Sequence, residues 1–189
     1  SKGWSNNQQF DLSPRQFLIE QFLRRESELI TEKIQISAEK CIGSLNSLFE
    51  EIALEMRESE TDAVDTGFLS LCTEYAFASS VSSNDLAKLQ HRAGSLALLE
   101  IDVRTGFRRF PHTEISNHFL ARALISKLLL DVEPRFLRRS VLQTDFLTVL
   151  CEVLLSSNPT KAITFVQNAQ NLLARERSLD NFQGHLIAI

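Results

Sequence analysis

The sequence has 189 residues, of which 20 are Lys or Arg and 24 are Asp or Glu, so its formal net charge is −4. That length suffices for one large domain or two small ones. A hydrophobic fraction of 43% with a charged fraction of 23% excludes extended disorder. The mild acidity argues against nonspecific nucleic-acid binding, which needs a basic surface to displace counterions from phosphates, although it permits a local basic patch.

Both ends of the sequence suggest a piece of a longer chain. The only methionine is Met56 and the first residue is Ser1, so no translation start is present. Residues 185–189 are mostly apolar and carry no stop signal. We therefore expect the parent chain to extend in both directions.

The cysteines and the hydropathy pattern predict a cytoplasmic protein. Cys41, Cys72 and Cys151 are far apart, odd in number and set in apolar sequence, which disfavours a disulfide framework or a zinc site. We expect three buried thiols in a reducing compartment and no metal. No apolar run reaches the roughly 18 residues that span a bilayer, and no signal peptide opens the sequence, so no membrane partner is expected.

The first half of the sequence predicts four helices. Ser13 and Pro14 are an N-cap and a first helical residue, and the helix continues to about residue 33. A second helix is predicted over 44–57, and the polar stretch 58–65 then breaks the pattern. Two shorter helices follow at about 66–77 and 84–93. The predicted inward faces of the first two helices are Leu18, Ile19, Phe22, Leu23 and Ile30, and Leu45, Leu48, Phe49, Ile52, Ala53 and Met56.

A β-hairpin is predicted after the fourth helix. Apolar and acidic residues alternate over 99–103, the sequence Arg104-Thr105-Gly106 supplies a turn, and residues 107–110 form the returning strand. A three-residue loop would place Asp102 opposite Arg108 as a pair of opposite charges.

Helical periodicity resumes at Thr113 and continues to about Asp131, and Pro134 ends it. Two further helices, at about 141–156 and 160–177, are joined by a short connection and should pack as an antiparallel pair. The second is expected to turn Ile163, Val166 and Leu173 toward the first.

Three helices followed by a hairpin is the order of a winged helix. We therefore predict a mainly α fold in three parts: a helical segment over 1–43, a winged-helix domain with a β-hairpin wing over 44–112, and a C-terminal helical arm over 113–189.

The most informative residue for function is His112. It follows a strand end and Pro111 and stands just before a predicted helix. A helix N-terminus offers unpaired N–H groups and a positive dipole end, and an imidazole adds a directed donor, so a phosphate could bind there. Alternatively, His112 caps the helix or fills a polar pocket at this corner.

Three stretches of the sequence, 21–26 (QFLRRE), 45–56 (LNSLFEEIALEM) and 109–122 (RFPHTEISNHFLAR), resemble NACHT-type members of the STAND NTPases, the signal-transduction ATPases with numerous domains. The resemblance covers roughly residues 13–130. It implies a helical domain and a winged helix that follow a nucleotide-binding core, with His112 as the contact to the β-phosphate of bound ADP. Asn117 and His118 depart from the family pattern, which has an acidic residue and an aromatic there.

The resemblance implies a regulatory role rather than catalysis by these residues. No G-x-x-x-x-G-K-[ST] loop occurs in the sequence, so hydrolysis of ATP would belong to an upstream core of a parent ATPase. We expect this piece to sense ADP or ATP held by that core, without binding either tightly alone, and to control closed-to-open switching and homo-oligomerisation. The expected setting is bacterial antiviral defence or another stress response.

Two other functions remain open. Arg104, Arg108 and Arg109 on the wing could contact DNA, which would make the chain a winged-helix transcriptional regulator, although the helix before the wing offers few base-reading side chains. A purely structural helical adaptor is the third. His91, His118 and His185 lack partners at metal-ligand spacing and are predicted to be structural or exposed, and no catalytic triad is indicated.

Overall fold

A computed structural model describes residues 13–104, 106–138 and 142–175, and these are mainly helical with a small three-stranded antiparallel sheet. The helices of this part of the chain are α1 (Pro14–Thr31), α2 (Ala38–Glu58), α3 (Thr66–Phe77), α4 (Ser83–Ala93), α5 (Thr113–Leu129), α6 (Thr144–Leu155) and α7 (Pro159–Arg175). The strands are β1 (Val64–Asp65), β2 (Glu100–Ile101) and β3 (Phe107–Arg109), and a 3-10 turn spans Arg135–Arg138. In the described ranges, no helix combines the length and the apolar character needed to cross a bilayer.

Side-chain caps explain where the helices begin. Ser13 caps α1 and Pro14 opens it, as predicted, and the Gln16 side chain completes a reciprocal capping box with Ser13. The Ser37 hydroxyl accepts a hydrogen bond from the Lys40 N–H, so α2 begins at Ala38. The predicted start at residue 44 is therefore wrong, and the predicted boundary between residues 43 and 44 lies inside α2.

The hairpin is confirmed, but its register differs from the predicted one. Glu100 lies opposite Arg109, and Ile101 lies opposite Arg108. The Asp102 N–H bonds to the Phe107 carbonyl, so the loop is one residue longer than expected and Asp102 does not face Arg108. Gly106 takes a φ of +83°, the left-handed conformation for which a glycine was expected there.

A strand that the sequence analysis missed completes the sheet. Val64 and Asp65 form β1, which pairs antiparallel with β3, so the strand order is β1-β3-β2. The polar stretch 58–65 was read only as a break between helices. A strand of two residues is too short to give an alternating pattern in the sequence.

Nearly all the buried apolar side chains of the described residues form one hydrophobic cluster, to which each of the helices α1 to α7 contributes. The predicted inward face of α2 is confirmed in full. On α1, Ile19, Leu23 and Ile30 are buried as predicted, whereas Leu18 and Phe22 are exposed. The helix therefore presents a narrower apolar face to the core than its composition suggests.

Two predictions in the C-terminal helices are wrong. Ile163 and Val166 are exposed, and α7 instead buries Phe165, Ala169 and Leu172; the side chain of Leu173 lies outside the described residues. Cys151 is also exposed, because α6 turns its other face, with Val149, Leu150, Val153 and Leu154, into the core. Cys41 and Cys72 are buried as predicted, and burial raises the pKa of the Cys72 thiol to about 12.

Three phenylalanines join α2, the end of β3 and α5 at the centre of the core. The ring centroid of Phe119 lies 5.0 Å from that of Phe49 and 5.9 Å from that of Phe110. Phe49 and Phe119 are fully buried, and Phe110 is 6% exposed. This aromatic cluster holds the strand and the helix on either side of His112 at a defined angle.

Replacing Phe119 with Ala should remove the centre of this cluster and leave a cavity. We expect a loss of about 3–5 kcal/mol in the free energy of unfolding, measured by urea denaturation. Phe17→Ala, at a side chain on α1 that is 53% exposed, is the matched control and should change the unfolding free energy much less. Equal losses in the two variants would show that the aromatic cluster is not central to stability.

His118 is buried in α5, which agrees with the structural alternative predicted for it. Its ring meets Phe119 edge-on at 5.2 Å between centroids, and its Nδ1 has no hydrogen-bond partner in the described part of the chain. Burial, together with the positive charges of Arg122 and Arg15, lowers the pKa of His118 to about 4. The imidazole is therefore neutral in the folded protein at neutral pH.

This depressed pKa should make stability fall as the pH decreases. Between pH 6.5 and pH 4 the unfolded chain binds a proton at residue 118 that the folded chain does not, so protonation favours unfolding. We expect on the order of 2 kcal/mol to be lost between pH 7 and pH 5 through this residue. Urea denaturation of wild type and His118→Asn at both pH values measures it, and an identical pH dependence in the two would contradict it.

Candidate functional site

The candidate site lies at the corner between the end of β3 and the start of α5. Arg109 ends the strand, Phe110 anchors the turn in the aromatic cluster, and Pro111 follows. His112 is the N-cap residue of α5, with an extended backbone at φ −139° and ψ 140°. Its side chain makes no capping hydrogen bond and is exposed. The alternative in which the His112 side chain caps the helix is therefore wrong.

The first turn of α5 presents backbone donors beside His112. The N–H groups of Ile115 and Ser116 bond to the His112 carbonyl, whereas those of Thr113 and Glu114 have no partner within the described residues. Such N–H groups carry the positive end of the helix dipole, which attracts an anion. The Glu114 carboxylate lies in the same turn and opposes that attraction in part.

His112 stands on the rim of a cleft of about 810 Å³, a volume in the range of small-ligand sites. One wall is the end of α2 with the loop that follows it, and the other is the start of α5 with the start of α6. The polar side chains that line it are Arg57, Glu60, Thr61, Asp62, Arg109, His112, Thr113, Ser116, Asn117 and Gln143. The floor is apolar, with Met56, Phe110, Leu120 and Phe146.

The charges in this cleft are of both signs and most are engaged. Arg109 donates from Nε to Glu100 at 2.8 Å, and Asp62 accepts from Arg104 at 2.6 Å. The Arg57 guanidinium lies 6.0 Å from the centre of the Phe136 ring. An anionic ligand would therefore be favoured at the His112 side of the cleft rather than beside Glu60 and Asp62.

The three hairpin arginines that suggested DNA binding are held within the protein. Arg104 pairs with Asp102 and Asp62 and stacks on the Phe107 ring at 4.9 Å. Hydrogen bonds from Arg104 hold the pKa of the Asp102 carboxyl below its usual range. Arg108 donates from Nε to the Gly94 carbonyl at 2.7 Å, and Arg109 pairs with Glu100. Among the described residues, the β2–β3 hairpin therefore offers no guanidinium without an internal partner.

Several polar side chains of α4, the helix before the hairpin, also have partners within the protein. On α4, Lys88 pairs with Asp85 at 2.8 Å, and Gln90 donates to the Ser70 carbonyl. Arg92 pairs at 2.9 Å with Glu26, a carboxylate of α1 that is almost completely buried. These contacts bind α4 to α1 and α3.

The other histidines that the sequence analysis considered do not line this cleft in the described part of the chain. His91 is exposed on α4, His118 is buried in the core, and His185 lies outside the described residues. Within the described ranges, no three His, Cys, Asp or Glu side chains are grouped as metal ligands. Arg57, Asp62 and Gln143 line the cleft although the sequence analysis did not select them, because their proximity depends on β1 and on the packing of α6, neither of which leaves a local signal.

Neither protein-family models, nor curated proteins, nor solved structures gave a match to this chain.

Proposed function

We propose that the region from α2 to β3 is a winged helix. Its elements follow in the order helix, strand, helix, helix, strand, strand, and the last strand pairs with both others. In a winged helix the first strand closes the sheet against the hairpin, and this is the role of β1. The order of the elements along the chain does not determine the order of the strands in the sheet. The two orders therefore support the winged-helix assignment independently.

We further propose that His112 senses the diphosphate of ADP held by an upstream NTPase core, and that the chain is the regulatory part of a STAND-like signalling ATPase. One observation carries this proposal: His112 is the N-cap residue of the 17-residue helix α5, but its side chain makes no capping hydrogen bond, so the exposed imidazole and the neighbouring unpaired N–H groups are available together beside the cleft. Backbone and imidazole donors are the groups that suit a phosphate.

In this proposal, His112 stabilises the closed state of the protein relative to its open state. A donor from His112 to a phosphate oxygen joins this region to the core and keeps the protein closed while ADP is bound. A charge-assisted hydrogen bond contributes about 1.5–3 kcal/mol, which is a bias of about tenfold to more than a hundredfold toward the closed state. Loss of that bond on nucleotide exchange would allow opening and homo-oligomerisation.

In the full-length protein, His112→Ala should therefore speed the release of ADP by about tenfold or more and raise the oligomeric fraction without a trigger. Release of a fluorescent ADP analogue and light scattering measure the two effects. His112→Gln keeps a donor at this position and should lie between wild type and the Ala variant.

Lys161→Ala, at an exposed cation on α7, is the control and should leave both measurements unchanged. If His112→Ala releases ADP at the wild-type rate and stays in the resting oligomeric state, the sensor assignment is wrong.

The DNA-binding alternative has no supporting contact in the described part of the chain, because its arginines are internally paired. We expect no saturable binding of the 189-residue chain to a random-sequence DNA duplex at about 0.15 M salt. Electrophoretic mobility shift checks this. Salt-dependent binding that is lost in the double variant Arg104→Ala and Arg108→Ala would instead favour the transcriptional regulator.

A further inference from the structure

The outer face of α1 carries an exposed apolar stripe. Leu18 is 57% exposed, Phe22 is 38% exposed, and Leu29 is half-buried. At about 100° per residue these three side chains fall within one narrow sector of the helix, and they span about 16 Å along it. The buried residues of α1 occupy a different sector, so the stripe remains on the surface.

Cations border this α1 stripe on both edges. On one edge, the helical spacing places Arg25 next to the stripe and places the carboxylates of Glu28 and Glu32 beyond it. On the other edge, Lys33 follows the helix and lines a cleft together with Leu29. Arg25 and Lys33 are exposed, and neither forms an ion pair within the described residues. Both cations are therefore available to a partner surface.

The outer face of α3 carries a second apolar stripe of nearly the same length. Tyr75 is 73% exposed, Leu71 is 65% exposed, and Phe68 is half-buried. Ala78, the C-cap residue, is also exposed. Spacings of three and four residues place these side chains on one face of the helix, over about 15 Å.

Carboxylates border the α3 stripe on both edges. Glu74 is exposed on one edge and forms no ion pair in the described part of the chain. Cys72 lies at the other edge, where burial and then the charges of Glu51 and Glu55 raise the pKa of its thiol, so these two carboxylates are close by. Glu51 pairs with a lysine of α5, whereas Glu55 has only a hydroxyl donor and no cation partner within the same ranges.

From these two faces we propose that the α1 stripe of one copy of this chain packs against the α3 stripe of a second copy. The stripes have nearly equal lengths, and cations border one while carboxylates border the other. Because the two faces are different surfaces of one chain, the contact is head-to-tail and leaves a free face on each end of the assembly. Two single-helix faces bury less than the roughly 1,200–2,000 Å² of stable complexes, so the chain alone should associate weakly, with a Kd of roughly 0.1 mM.

The contact deepens the proposed function, and it rests on that function for its role in homo-oligomerisation. It involves no nucleotide, and none of the residues of the two stripes or their borders lines the His112 cleft. Self-association of the 189-residue chain without nucleotide therefore tests the contact, whereas ADP release by the His112→Ala variant tests the sensor. Either result can fail while the other holds.

Sedimentation velocity of the 189-residue chain, from about 10 to about 500 µM, measures this association. We expect the average mass to rise with concentration and to pass that of a dimer. Arg25→Glu and Glu74→Arg should each weaken association by roughly tenfold, which is about 1.4 kcal/mol. The double variant with both changes should recover wild-type association, because the two charges are exchanged across the contact. Lys161→Glu, on α7, reverses a charge outside both faces and should leave association within about twofold of wild type.

Variants of the two stripes distinguish a head-to-tail contact from a symmetric one. Leu18→Asp disables the α1 face and Tyr75→Asp disables the α3 face, both at exposed side chains, and circular dichroism checks that each variant is folded. Each variant alone should stay monomeric, and an equimolar mixture should form dimers but nothing larger. A wild-type chain that is monomeric at about 500 µM would overturn the proposal, as would a double charge variant no better than the single ones. Self-association of either Asp variant alone would overturn it in favour of a symmetric contact.

Discussion

The packing of Phe119 against Phe49 and Phe110 is the contact on which the rest of this structure depends. It joins α2, the longest of the described helices, to the end of β3 and to α5, both of which lie far from α2 in the sequence. Because these rings are buried and in mutual contact, they fix the end of β3 and the first turns of α5 relative to each other. Core packing on both sides therefore helps to position His112, which lies between them.

Ion pairing then determines which cations remain available to a ligand. Several arginines form ion pairs with carboxylates that are largely buried. The pairs are Arg104 and Arg109 with Asp102, Arg92 with Glu26, and Arg122 with Glu50. A buried carboxylate without a partner would be strongly destabilising, so these arginines are needed where they are. Burial raises the pKa of Glu50 even beside Arg122, which shows how much desolvation the pair must offset. A basic residue in the sequence is thus weak evidence of nucleic-acid contact until its internal partners are known.

The sequence predicted the elements whose signals are local. The capping pair Ser13-Pro14, the inward face of α2 and the glycine at the hairpin turn all depend on neighbouring residues, and each was predicted correctly. The hairpin register depends on loop length, and the exposed face of α7 depends on how α5 and α6 meet it, so those predictions failed. The strand β1 forms only because β3 is present to pair with it. Likewise His112 could be selected from its position before a helix, whereas the residues across the cleft could not.

The single hydrophobic cluster also constrains how a switch in this protein could work. The predicted boundary after residue 112 falls at the start of α5, yet Phe119 of α5 packs on Phe49 of α2, and α5 also packs against α6 and α7. Movement of α5, α6 and α7 away from α2 would open this core and expose fully buried rings, at a cost of several kcal/mol. A single hydrogen bond from His112 is too weak to drive that change. If His112 senses a nucleotide as we propose, the described residues should therefore move as one body relative to the domain that holds that nucleotide.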